Sequence, residues 1–236
     1  MRNDTPVIGV LGGMGPRATV VFLQKLVDRY RGRQDSDVPR LIVDFQTRIP
    51  SRSRHVLFGE ASPVSALKFA SDGIVALGAD FVAIPCNSAC ALLPIEFFRS
   101  GVNLNIIDIA INDVRQQVGS NNLTRVLILA GPATIRLNTY GEKLRQANCS
   151  AQYPDEAVQL RIEGFIDRIK RFGQSEEVLN SLQEIVSEIY AQSPFDAVVL
   201  ACTELEELPY EQLLSPVPII SSSKSLVEYC FTIAGS

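Results

Sequence analysis

Asp80-Phe81-Val82-Ala83-Ile84-Pro85-Cys86 is the stretch that decides the fold, because it returns as Asp196-Ala197-Val198-Val199-Leu200-Ala201-Cys202 at an offset of 116 residues. Each copy is a short run rich in β-forming apolar residues that ends on a cysteine, the composition of a strand buried on both faces. The same offset carries Gly15-Pro16, with Thr19 close behind, onto Gly131-Pro132, with Thr134 close behind. Two separated features at one offset point to an internal duplication. Working outward, further strands are expected at 6–11, 40–45 and 104–108 in the first half, and at 125–130 and 216–220 in the second. Apolar residues at helical spacing predict helices at 18–31, 63–77, 137–147, 158–172 and 176–192. Alternation of the two patterns gives an α/β fold of two pseudo-symmetric, duplicated domains, each a mainly parallel sheet flanked by helices. The expected division is 1–112, carrying Cys86, and 113–236, carrying Cys202, with the C-terminal segment able to return to the first unit. Ligands of open parallel sheets bind beyond the carboxyl ends of the strands, which brings Cys86 and Cys202 to one cleft between the domains.

Composition narrows the function. The 236 residues hold 22 basic and 26 acidic side chains, a formal charge of −4, which lacks the basic footprint of a nucleic-acid binder. A hydrophobic fraction of 46% supplies a large core. Residues 1–6 lead into an apolar run too short for a signal peptide, and no segment reaches the roughly 18 apolar residues of a membrane helix. A cytoplasmic protein with no membrane partner is expected, and its five cysteines should be free thiols.

A lone cysteine ending an apolar strand is ordinarily a small buried hydrophobe. Here Cys86 is followed by Asn87-Ser88-Ala89 and Cys202 by Thr203-Glu204-Leu205. Small polar residues and a helix N-terminus after each thiol would favour thiolate. Two thiols on opposite walls of a cleft suit racemisation or epimerisation, one removing a proton from carbon while the other delivers a proton to the opposite face. With an ordinary thiol pKa of roughly 8.5, one partner can rest as thiolate and the other as thiol. Charge building up beside a carboxylate needs fixed donors, for which Asn87, Ser88, Thr203 and nearby backbone amides are candidates.

These residues resemble the cofactor-independent aspartate/glutamate racemase family. Gly12-Gly13-Met14-Gly15-Pro16-x-Ala18-Thr19 looks like its N-terminal signature. Pro85-Cys86-Asn87-Ser88-Ala89 and Cys202-Thr203-Glu204 are similar to its two catalytic motifs, and Ile49-Pro50-Ser51-Arg52 to its Ile-Pro-Asp-Arg segment. The similarity runs from Val7 to about Ser222. It implies two-base racemisation of an acidic amino acid, aspartate ahead of glutamate, without pyridoxal phosphate or metal, commonly in a homodimer. By the resemblance Cys86 and Cys202 are the acid/base pair. Asn87, Ser88, Thr134 and Thr203 take the α-carboxylate and amino-group positions, Met14 and Gly15 line the cleft, Arg52 recognises the side-chain carboxylate, and Lys170 is a second basic residue near the substrate. Four positions depart from the pattern: Cys90 where His is usual, Ser51 for Asp, Ala201 for Gly, and Gly131 where Thr is frequent.

Other readings compete. Gly13-x-Gly15-x-x-Ala18, with Asp44 ending the next strand, also satisfies a dinucleotide fingerprint. Cys86 and Cys90 have a spacing seen in zinc sites, although the chain has one histidine, His55, which reads as a loop residue beside Arg52 and Arg54. Arg48 is the second choice for anion recognition after Arg52. Glu204 either orients the segment after Cys202 or serves the chemistry, and Cys149 and Cys230 read as bystanders. A related superfamily isomerase, a racemase of another amino acid, or a noncatalytic amino-acid binder would share the cleft.

Overall fold

The computed structural model describes residues 6–118 and 124–235. Two four-stranded parallel sheets form the frame. The first contains β1 (Ile8–Gly12), β2 (Leu41–Phe45), β3 (Phe81–Ala83) and β4 (Asn103–Leu104), in the order β2-β1-β3-β4. The second contains β5 (Thr124–Ala130), β6 (Cys149–Gln152), β7 (Ala197–Ala201) and β8 (Ile219–Ser221), in the order β6-β5-β7-β8. The orders match strand for strand, as a duplication requires. In each sheet the connections reverse direction between the first and third strands, so the residues after β1 and β3, and after β5 and β7, flank a crevice suited to ligands.

Ten helices are described: α1 (Pro16–Asp28), α2 (Arg52–Phe58), α3 (Val64–Ala76), α4 (Asn87–Leu92), α5 (Ile106–Val118), α6 (Pro132–Leu137), α7 (Thr139–Gln146), α8 (Glu156–Phe172), α9 (Glu176–Gln192) and α10 (Ser222–Ile233). Local chemistry sets their ends. Pro16 and Pro132 open α1 and α6 behind Gly15 and Gly131, where proline's missing N–H costs nothing. Asp155 caps α8 by accepting from Val158 N at 2.9 Å, and Ser221 caps α10 by accepting from Lys224 N at 3.1 Å.

Several expectations shift. The strand expected over 104–108 ends at Leu104, because Asn105 Oδ1 accepts from Ile107 N at 3.0 Å and starts α5. The expected division after residue 112 therefore falls inside α5. The helix expected over 137–147 breaks at Asn138, whose φ of 50° divides α6 from α7. The strand expected over 216–220 is displaced to β8, while β6 was not expected at all: Cys-Ser-Ala-Gln has no period to mark it.

The apolar core is divided by the second sheet. Leu127, Leu129, Val198 and Leu200 face α8 and α9. Alternate residues Val126, Ile128, Ala130, Ala197, Val199 and Ala201 join a core continuous with the first sheet, through α5 and α10. Phe231 of the C-terminal helix α10 packs against Tyr30 and beneath the Arg29 guanidinium. Among the described residues no helix is long and apolar enough to cross a membrane.

Candidate active site

Cys86 and Cys202 arrive at the same cleft from different sheets. The chain leaves β3 through Ile84 and Pro85, and Cys86 occupies the N-cap position of α4. Cys202 follows β7 directly, but a helix N-terminus does not follow it as expected. A bend leads instead into a 3-10 turn, Leu205–Glu207, and the Glu204 side chain turns back to the thiol. The Cys202 Sγ donates to Glu204 Oε2 at 3.0 Å. Burial, and then the Glu204 carboxylate, push the Cys202 thiol well above its ordinary pKa, against the opposing pull of Lys170. The helix N-terminus expected to favour thiolate is thus missing after Cys202, where burial and Glu204 favour the protonated thiol, in keeping with one thiol and one thiolate across the cleft.

Met14, Arg52, Asn87, Ser88, Lys170 and Thr203 line the cleft with the two thiols. Gly15 and Thr134 stand one step behind. A Cβ on Gly15 would lie 3.1 Å from Glu204 Oε1, so glycine there leaves room for that carboxylate. Thr134 is buried and shares a 3.0 Å hydrogen bond with Ser88 Oγ. Asn87 lines the cleft, yet its carboxamide is engaged on both ends: Nδ2 donates to Ser222 Oγ at 2.9 Å and Oδ1 accepts from Tyr140 at 2.8 Å. Ile166, which also lines the cleft, could have been found from its helical spacing of four residues from Lys170.

The charges are unequal. Lys170 Nζ lies 3.6 Å from Glu204 Oε1. Burial works to lower its pKa but is outweighed by Glu204 and the two thiols, so the ammonium is held charged above its ordinary range. The Arg52 guanidinium donates to Pro50 O at 3.3 Å and Met14 O at 3.2 Å, and its buried Nε has no hydrogen-bond partner. Among the described residues no carboxylate pairs with Arg52, so the cleft keeps an uncompensated cation. Arg54 and His55, expected in a loop, lie instead on α2, where Ser51 Oγ accepts from Arg54 N and starts the helix; Arg54 is paired with Glu60 and His55 Nδ1 lies 2.7 Å from Glu60 O. Arg48 is exposed and lies outside the lining; Cys149 and Cys230 also lie outside it and are buried elsewhere. All five cysteines are free.

The glycines after β1 serve packing. Gly13 has φ +85°, and a Cβ there would stand 2.6 Å from the Gln46 carbonyl carbon. Thr19 laces this turn, its Oγ1 accepting from Gly13 N and donating to Gly15 O, both at 2.9 Å. Thr134 does not repeat that role in the second half, since its hydroxyl crosses to Ser88. Asp44, the candidate ribose ligand, accepts from Gln46 Nε2 at 2.9 Å. Cys90 is buried with its thiol against Ile84 O at 3.7 Å and raised in pKa by burial, and no group of three or more metal-ligating side chains includes it among the described residues.

The sequence pattern of the family described as Asp/Glu/Hydantoin racemase matches residues 11–230. The chain is similar to the broad specificity amino-acid racemase RacX of Bacillus subtilis (strain 168), 25% identical over 230 residues, covering 94% of this chain and 95% of that protein. Its fold is similar to that of the Picrophilus torridus aspartate racemase, at 26% identity and a TM-score of 0.79, covering 98% of this chain and 94% of the other. The glutamate racemase of Francisella tularensis subsp. tularensis SCHU S4, solved with D-glutamate, shares the fold at a TM-score of 0.64 and 19% identity, covering 98% and 81%.

Proposed function

The chain belongs to the Asp/Glu/Hydantoin racemase family, and from that premise we propose that it racemises an acidic amino acid, aspartate ahead of glutamate, without pyridoxal phosphate. In this reading one thiol removes the α-proton while the other protonates the opposite face. The observation that carries it is the meeting of Cys86 and Cys202 in one cleft beside Arg52, a cation with no carboxylate partner.

The resting proton distribution supports an order of events. Cys202 holds its proton against Glu204 and is the ready acid, so Cys86 acts first as base. The roles exchange for the other enantiomer, and Glu204 then favours return of a proton to Cys202. Arg52 and Lys170 balance Glu204 and the thiolate of the base, and Arg52, with no carboxylate partner among the described residues, is left to take the side-chain carboxylate of the substrate. A bidentate guanidinium–carboxylate pair would fix the substrate side chain. Ser88, held by Thr134, and Thr203 are placed to donate to the α-carboxylate as charge builds there. A homodimer in a reducing cytoplasm belongs to the same reading; exposed Phe69 and Leu77 on the first unit offer apolar surface to such an assembly, which light scattering would test.

Proton NMR of the protein with L-aspartate in heavy water, without cofactor, tests the reaction. Loss of the α-proton signal with appearance of D-aspartate is expected. Intact α-protons with aspartate and glutamate, but exchange with alanine or another neutral amino acid, would overturn the acidic preference.

A further inference from the structure

We propose that Glu206 is a positioning residue that holds the two thiol-bearing segments in register through Ser222 and Asn87; this rests on the two-thiol reading above. Glu206 lies four residues after Cys202, in the 3-10 turn that follows that thiol. Its side chain is wholly buried. The carboxylate accepts from Ser222 Oγ at 2.7 Å, from Ser223 N at 3.0 and 3.2 Å, and from the hydroxyls of Ser221 and Ser223. Lys25 of α1 supplies the countercharge at 3.7 Å. Those contacts alone would describe a cap for α10.

The chain of bonds continues past the cap. Ser222 Oγ accepts from Asn87 Nδ2, and Asn87 Oδ1 accepts from Tyr140. An ionised carboxylate can only accept, so the Ser222 hydroxyl must donate to Glu206 and present its lone pairs to Asn87. That fixes the sense of the whole chain, with the Asn87 amide nitrogen toward Ser222 and its oxygen toward Tyr140. Asn87 is covalently next to Cys86. The charge on Glu206 therefore ties the Cys202 side of the cleft to the Cys86 side through two buried side chains. Inversion needs both thiols aligned on one carbon, whereas removal and return of a proton on one face needs one. A displacement between the two segments should thus harm inversion more than exchange.

The test uses Glu206→Gln and Ser222→Ala in the full-length protein, with melting temperatures measured first and kinetics run well below them. Aspartate is incubated in heavy water, and α-deuterium is followed in recovered substrate and in inverted product. The ratio of substrate exchange to inversion should rise about tenfold in both variants, since ångström-scale misplacement of reacting groups costs one to two decades. Glu206→Asp, which keeps the charge, should restore part of the inversion. Equal losses of exchange and inversion would overturn the proposal and leave Glu206 a helix cap. A second readout needs no substrate: the Asn87 side-chain amide protons should lose hydrogen-exchange protection in both variants, and unchanged protection would overturn the proposal too. A wild-type protein inert toward aspartate would refute the choice of aspartate as substrate, while the Asn87 signal would still decide the role of Glu206.

Discussion

Replacing Glu204 with Gln removes a negative charge from beside the Cys202 thiol with little change of shape. At the 3.0 Å separation of Sγ and Oε2, and an effective dielectric of about 20, the repulsion between thiolate and carboxylate is about 5.5 kcal/mol. Lys170, at 3.6 Å from the other oxygen and half-exposed, screens much of it. A residue of about 1–2 kcal/mol corresponds to about one pH unit. The sign follows from the carboxylate holding the proton on Cys202, so its loss lets the thiol ionise at lower pH. Racemisation that draws its proton from Cys202 should then fail earlier on the alkaline side, by about one pH unit. Two measurements check this. One is the pH dependence of kcat/KM in both directions. The other is the pH dependence of iodoacetamide alkylation in a Cys86→Ala background, where Cys202 is the cleft thiol left to report. An alkylation midpoint that stays in place or rises on Glu204→Gln would refute the electrostatic assignment of this carboxylate.

Cys86→Ala and Cys202→Ala should each nearly abolish racemisation in both directions, read by chiral chromatography. Each variant should still exchange the α-proton of one enantiomer, the opposite one in the two cases. Arg52→Ala removes a charge-assisted contact of about 1.5–3 kcal/mol, so kcat/KM for aspartate should drop roughly ten- to hundredfold while that for alanine stays level. Gly13→Ala forces a side chain into positive φ and against the Gln46 backbone; a loss of about 2 kcal/mol or more, seen as a melting temperature lower by several degrees, is expected by calorimetry. Tyr140→Phe leaves Asn87 Oδ1 without its buried donor and should cost about 1–3 kcal/mol, measured by urea unfolding.

The α/β class and the duplication were legible because buried parallel strands are near-continuous apolar runs and the two cysteines mark their ends. Arg52, Lys170 and the thiols could be placed at the cleft by likeness of motif. Elements whose identity depends on a single hydrogen bond were not legible. The run Ile106-Ile107-Asp108-Ile109 looks like a strand until the Asn105 carboxamide caps it. The upward push on the Cys202 thiol was hidden for a related reason, since it depends on which way the Glu204 side chain turns after the strand. Asn87 is legible as a cleft residue from its motif, but its hydrogen-bond partners are not. Its partners Tyr140 and Ser222 are distant in sequence and no period links them.

The apolar layer shared between the sheets bears on how such a molecule can be recombined. Alternate residues of β5 and β7 bury themselves against side chains that belong to the first half, and α10 completes that layer from the far end of the chain. A chimera joining the first half of this protein to the second half of a distant relative would inherit both thiols and still lack a matched seam. A close-packed layer built from both halves passes a change of volume on one side to the side chains on the other, so the duplicated halves share one packing problem.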